Sequence, residues 1–171
     1  MLSLRLAQQS DIQQLIEVER SAGQLFLQLA ELQFIADDEG MSPQQHADFI
    51  AQQREWLMVD ADGQVAGFIA VQSLLHGWHI AELSVAANWQ RQGVGKKLIA
   101  EVMSLARQQG APRLTLTTFV NVPWNAPYYQ RLGFRRLSAH QLDAQLQGLL
   151  AEEIKQGLAA GSRCVMEFTL L

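Results

Sequence analysis

The sequence has a single cysteine, Cys164, so no disulfide can form within the chain. No apolar run reaches the length of a membrane span, so no membrane partner is expected. The amino terminus lacks a basic stretch followed by an apolar one, which points to the cytoplasm rather than export. Positive charge is not in excess. The net charge of −4 argues against nucleic acid as a main partner and sits comfortably with a cationic small substrate. No repeat, low-complexity segment or linker interrupts the chain. With 49% apolar residues over 171 positions, residues 1–171 are expected to form one domain with a substantial core. No metal site is expected.

What is present is organised around Leu83 to Ile99. An apolar strand leads into a loop with glycines at 93 and 95. Val94, Leu98, Ile99, Val102, Leu105 and Ala106 then recur at helical spacing, with Lys96, Lys97, Glu101 and Arg107 on the other face. The first N–H groups of a helix lack intrahelical acceptors, and the helix dipole adds positive charge there. Glycines let a ligand approach the backbone, and Arg91 and Lys96 can add charge. The expected guest is a phosphate or pyrophosphate. Neither a Walker loop nor the dinucleotide pattern G-x-G-x-x-G is present.

In chain order, Leu2, Leu4 and Leu6 alternate as a first strand. Ser10 with Gln13 has capping-box spacing for a helix carrying Ile12, Leu15 and Ile16, which Gly23 bends or ends. Leu25, Phe26 and Leu29 suggest a second helical piece. Asp37 to Gly40 is an acidic turn. Ser42-Pro43-Gln44-Gln45 starts a helix that ends near Arg54. Trp56–Val59, Gly67–Val71 and Trp78–Ala86 read as a three-strand meander, with Asp60 to Gly63 as a hairpin signal. After the long helix, Gly110-Ala111-Pro112 is a stop, and a strand follows from Leu114. Asn125 to Leu132 is a short helix ended by Gly133. Phe134 to Leu137 is a short strand. Leu142, Leu146, Leu149, Leu150 and Ile154 form a helical stripe, and Cys164, Met166, Phe168 and Leu170 alternate in a last strand. The expected fold is α/β of the α+β kind: a mixed, mostly antiparallel sheet of about seven strands flanked by helices.

Gln90-x-x-Gly93-x-Gly95 resembles the Q/R-x-x-G-x-G/A motif of the GCN5-related N-acetyltransferase (GNAT) family. The segment Asn125-Ala126-Pro127-Tyr128-Tyr129-Gln130-Arg131-Leu132-Gly133-Phe134 resembles that family's A-x-x-x-Y-x-x-x-G-F, with Asn125 at the first alanine. The element order matches the family from end to end. The resemblance implies acetyl-coenzyme A as acetyl donor. It implies a cofactor site drawn from Leu83, Ser84, Val85, Gln90, Arg91, Gln92, Gly93, Val94, Gly95, Lys96, Asn125 and Tyr129. An asparagine that the family often places seven residues before the tyrosine is Val122 here. Asn125 either takes over that contact or caps the short helix.

The resemblance also implies that Tyr129 lies next to the coenzyme A sulfur. A phenol, with a pKa of about 10, suits the protonation of a departing thiolate of pKa about 8.5. Tyr128 reads as a packing residue. Glu82, where the family often carries an acid, is the expected general base, directly or through water, with an edge glutamate as the plain alternative. His76 and His79 are further candidates. Backbone N–H groups from Ser84 to Ala86 are expected to face the thioester oxygen. Glu17, Glu19 and Arg20 read as a solvated helix face or an acceptor contact. Trp56, Trp78, Trp89 and Trp124 are candidate pocket walls, and Cys164 reads as buried packing.

Three functions follow. The first is acetyl transfer to a primary amine of a small molecule by direct attack in a ternary complex. The second changes the acceptor to a protein N-terminus or lysine. The third is an acyl-coenzyme A binding or sensing module without turnover. The resemblance admits a homodimer through the last strand.

Overall fold

The computed structural model describes residues 1–33 and 40–171. The acidic turn expected over Asp37 to Gly40 therefore lies, apart from Gly40, outside the described residues. The strands are β1 (Ser3–Leu6), β2 (Glu55–Val59), β3 (Val65–Leu74), β4 (Gly77–Val85), β5 (Arg113–Phe119), β6 (Arg135–Arg136) and β7 (Arg163–Thr169). They form one seven-stranded sheet in the order β1-β2-β3-β4-β5-β7-β6. The β4–β5 pair is parallel, and the recorded pairs β1–β2, β2–β3, β5–β7 and β6–β7 are antiparallel. The helices used below are α1 (Ile12–Gly23), α2 (Pro43–Ala51), α3 (Val94–Gln108), α4 (Ala126–Arg131) and α5 (Ala144–Lys155). The expected mixed sheet with flanking helices is the observed one. Contacts group the chain into two compact units, Met1–Gln72 with Ala81–Val102, and Ser73–Ile80 with Met103–Leu171.

In the first unit, Leu15, Val18, Ile50, Leu57, Val65 and Phe68 pack a core joined by Ile12 and Trp89. The entry to α1 differs from the Ser10 cap the sequence suggests. Asp11 does the work: its Oδ2 accepts from the Gln8 N–H at 2.7 Å, and its carboxylate takes both terminal nitrogens of Arg5, at 2.7 and 2.9 Å. The Arg5 hydrogen bond holds the Asp11 carboxyl below its ordinary range against the opposing effect of burial. A residue six positions away thus overrides the local capping signal. After α1 the chain continues in 3-10 turns at Gln24–Gln28 and Ala30–Leu32. The α2 start is as expected: Ser42 Oγ accepts from Gln45 N–H, and Gln45 Oε1 accepts from Ser42 N–H. That helix stops at Ala51, short of Arg54, because Gln53 takes a left-handed φ of 57° and Arg54 N–H returns to the Phe49 carbonyl. The Asp60 to Gly63 hairpin forms, with Asp60 Oδ1 accepting from the N–H groups of Asp62 and Gln64.

In the second unit, Leu137, Leu146 and Val165 form a core with Leu74, Leu142, Leu149 and Leu150 against it. Ile154, at the end of the same stripe, is 50% exposed. β6 is shorter than the run from Phe134 to Leu137, since Phe134 N–H is spent on the Tyr129 carbonyl. Arg113 is a hub. Its guanidinium donates to the His76 carbonyl, to Glu167 at 3.1 Å and to Asp143 at 3.0 Å, while Arg135 pairs with the other Glu167 oxygen. Asp143 also caps α5 through the Leu146 N–H. Glu153 of α5 accepts from Arg163 and Thr117, which fixes that helix to β5 and β7.

One contact in the first unit was not foreseen. Glu55 and His46, both with no solvent exposure, meet at 2.9 Å, and the His46 ring packs edge-on against Phe68. Burial pushes the Glu55 carboxyl up, with the His46 hydrogen bond opposing it. Removing one partner of such a pair leaves the other desolvated and uncompensated. His46→Ala is expected to cost roughly 3–5 kcal/mol in urea unfolding, whereas a loss below about 1 kcal/mol would show that the pair carries no more than a surface contact.

Candidate functional site

The loop between β4 and α3 is built by backbone conformation. Arg91 and Gly93 both take left-handed φ values, 63° and 81°, and a Cβ on Gly93 would meet nothing within 4 Å. Glycine is therefore required there by conformation and not by crowding. Lys97 N–H donates to the Gly93 carbonyl at 3.1 Å, so the N–H groups of Val94, Gly95 and Lys96 precede the first intrahelical bond. Arg91, Gln92, Gly93 and Lys96 are exposed, and Val94 and Leu98 anchor the helix below them. A helix start with unbonded N–H groups and two cationic side chains around it is suited to an anion.

The strand that feeds the loop is held just as closely. Ala86 N–H donates to the Ala66 carbonyl at 2.9 Å. Regular antiparallel alternation from that bond puts Val85 at a non-bonded position with its polar groups turned away from β3, and its carbonyl is taken by Gln90. A Cβ on Gly67 would lie 2.9 Å from the Ser84 carbonyl oxygen, 3.0 Å from Val94 Cγ1 and 3.4 Å from Val85 Cα. Only glycine allows this approach. Gly67 is a site-building residue that the motifs do not contain; its signal is a lone glycine inside an apolar strand. Because Ala86 N–H is already bonded to Ala66, it leaves the set of expected oxyanion donors.

Ser84 Oγ donates to Glu82 Oε1 at 3.1 Å, so the two side chains share a face of β4. Ser84 is buried, while Glu82, Leu83 and Val85 remain partly exposed. Gln90 Nε2 donates to the Val85 carbonyl at 3.1 Å. Glu19 is not on a solvated helix face: its carboxylate accepts from Met41 N–H, and Oε1 lies 3.9 Å from His46 Nε2. Glu17 and Arg20 are exposed.

In the second unit, Tyr129 is partly buried near the end of α4. Its ring packs edge-on against Tyr128 at 5.3 Å and Phe134 at 5.8 Å. Burial pushes the Tyr128 hydroxyl up, with Arg131 opposing it from 5.9 Å over the ring. Asn125 does not cap α4 with its side chain; its Oδ1 accepts from Phe119 N–H at 3.4 Å. Val122, where the family often has asparagine, is buried. Trp56 and Trp78 are core residues and Trp89 packs on the core of the first unit, so three of the four tryptophans serve packing. Cys164 is buried, with its thiol pushed up by that burial, as a packing residue should be.

His76 is exposed, and its carbonyl holds Arg113. His79 is buried against Thr115, its Nδ1 2.7 Å from Oγ1. Burial depresses its pKa to about 4, so the ring is neutral at physiological pH and is a weak base. Among the described residues there is no group of three metal-ligating side chains, and no helix is long and apolar enough to cross a membrane.

A family model described as the acetyltransferase (GNAT) family matches residues 23–134. Streptothricin acetyltransferase of Streptomyces lavendulae is 36% identical over 89 residues, 49% of this chain and 46% of that protein. The match thus spans about half of that relative. PaiA N-acetyltransferase from Thermoplasma acidophilum, solved with coenzyme A, has a TM-score of 0.75 at 17% identity over 99% of both chains. N-acetylglutamate synthase from Neisseria gonorrhoeae, solved with coenzyme A and N-acetyl-glutamate, has a TM-score of 0.74 at 20% identity, covering 100% of this chain and 35% of that one. At these identities the two structures establish the shared fold.

The His79 environment sets a pH dependence. The folded pKa of about 4 lies below the unfolded value of about 6.5. Between the two, the unfolded chain binds a proton that the folded one does not. Stability is therefore full above about pH 6.5 and falls toward pH 4, by on the order of 3 kcal/mol. His79→Asn, which keeps a polar partner for Thr115 and cannot titrate, is expected to flatten that part of the curve in urea unfolding at about pH 7 and about pH 4.5. An unchanged slope would show that His79 is not desolvated.

Proposed function

Because the chain belongs to the acetyltransferase (GNAT) family, we propose that it transfers an acetyl group from acetyl-coenzyme A to the primary amine of a small molecule, by direct attack in a ternary complex. The observation that carries this reading is the β4–α3 junction. It sets an anion-binding helix start beside a strand edge whose Val85 N–H is turned outward. A ligand with a pyrophosphate at one end and a carbonyl at the other is what such a junction suits. The N–H groups of the loop and of Val94, Gly95 and Lys96 would hold the pyrophosphate, with Arg91 and Lys96 adding charge. Leu83 and Val85 would flank the arm that carries the acyl group, and Asn125 is the further residue assigned to it.

In the transfer itself, the amine nitrogen bonds to the thioester carbon and the carbon–sulfur bond breaks. The amine proton passes to Glu82, directly or through water. The departing sulfur takes a proton from the Tyr129 hydroxyl. Val85 N–H faces the negative charge that builds on the thioester oxygen. His79 is set aside as the base by its depressed pKa. A small acceptor is supported by the net charge of −4 and by the N-acetyl-glutamate bound in one structural neighbour.

Acetyl-coenzyme A at about a hundred times Kd is expected to add about 2.7 kcal/mol, a rise in Tm of roughly 5–10 °C. Gly93→Val, which forces a β-branched residue into the left-handed region, should abolish the rise. No rise for the parent at saturation would overturn the cofactor assignment. Tyr129→Phe and Glu82→Gln should keep the rise while slowing thiol release, with a panel of small amines, on the order of a hundredfold. Unchanged turnover in both variants would remove the assigned chemistry. Turnover on peptides alone would move the acceptor to protein, and cofactor binding without thiol release from any amine would make the chain a binding module.

A further inference from the structure

The first residue of the loop motif spends its side chain on the strand and not on the anion site. Gln90 Nε2 donates to the Val85 carbonyl at 3.1 Å. On the opposite side of that same peptide unit, Ala86 N–H donates to the Ala66 carbonyl at 2.9 Å. A trans peptide is planar, with its C=O and N–H pointing in opposite directions, so the 85–86 unit is clamped from both sides. The next peptide back carries Val85 N–H. Its direction depends on the φ and ψ of Val85, which the clamp on the neighbouring peptide restrains. Gln90 thereby occupies the Val85 carbonyl, the acceptor on the same residue that carries the Val85 N–H.

We propose that Gln90 is a positioning residue that ties the anion loop to the end of β4 and so fixes the direction of Val85 N–H. It is half-buried, and Arg91 turns left-handed immediately after it, so the loop changes direction at the point where it is anchored. The role separates two things that a direct phosphate contact would not. Pyrophosphate binding belongs to the loop backbone and its cations, while the alignment of the acyl end belongs to the Gln90 bond. The inference rests on the acetyl-coenzyme A reading above.

The test compares ADP, which has the pyrophosphate and no acyl-bearing arm, with acetyl-coenzyme A. Gln90→Met keeps the length and removes the donor; Gln90→Arg restores a donor. Gln90→Met is expected to leave the Kd for ADP within about twofold, to weaken acetyl-coenzyme A about tenfold and to lower kcat about tenfold with any amine the parent acetylates. Gln90→Arg should recover most of both losses. Equal weakening of ADP and acetyl-coenzyme A by Gln90→Met would make Gln90 a phosphate ligand and overturn the proposal. So would no effect on either ligand. Should Gln90→Met fail to fold, Gln90→Ala removes the same amide without adding apolar bulk and is read in the same way. A parent protein that binds neither ligand would instead overturn the cofactor reading itself.

Discussion

The short ladder between the end of β4 and the start of β3 is the constraint on which the site depends. The Ala86–Ala66 hydrogen bond sets the alternation, and alternation turns both polar groups of Val85 outward. Gly67 makes this possible, because any side chain there would collide with the Ser84 carbonyl and with Val94. Val94 is also the first residue of α3. One glycine on a neighbouring strand therefore controls how closely the start of α3 approaches the strand that precedes it. The left-handed turns at Arg91 and Gly93 then bring the chain round within a few residues.

The second unit is held differently. Its polar groups are used as struts. Arg113 joins the β3–β4 turn, the α5 cap and β7, and Glu153 ties α5 to β5 and β7. These pairs are partly buried and engage several elements at once, which gives them more weight than isolated surface pairs. The edge-on stack from Tyr128 through Tyr129 and Phe134 to Phe168 fixes the tyrosine helix on β7.

Much of this was legible in the residues. The Ser42 capping box, the Asp60 to Gly63 hairpin, the glycine stop at Gly110 and the loop-to-helix junction at Gly93 are local devices, and each appears where its signal lies. Most of the failures come from action at a distance, and one, at Gln53, from a local turn without its usual glycine. Arg5 recruits Asp11 and displaces the Ser10 cap. Gln53 takes a left-handed turn that glycine would have announced. Glu19 looks like a helix-surface residue until Met41 meets it, and the buried His46–Glu55 pair has no local signal. Asn125 reaches back to Phe119 where its position suggested a cap. Gly67 carried a local signal, but its meaning depends on the Ser84 carbonyl of another strand.

Amide hydrogen exchange resolved at single residues, with and without acetyl-coenzyme A, bears most directly on the junction. Val85, Gly95 and Lys96 N–H groups should slow markedly on binding, while Ala86, already bonded to Ala66, should change little. Slowing confined to other segments, with those three amides unaltered, would contradict the account, because the ligand would then be held by something other than this strand end and helix start.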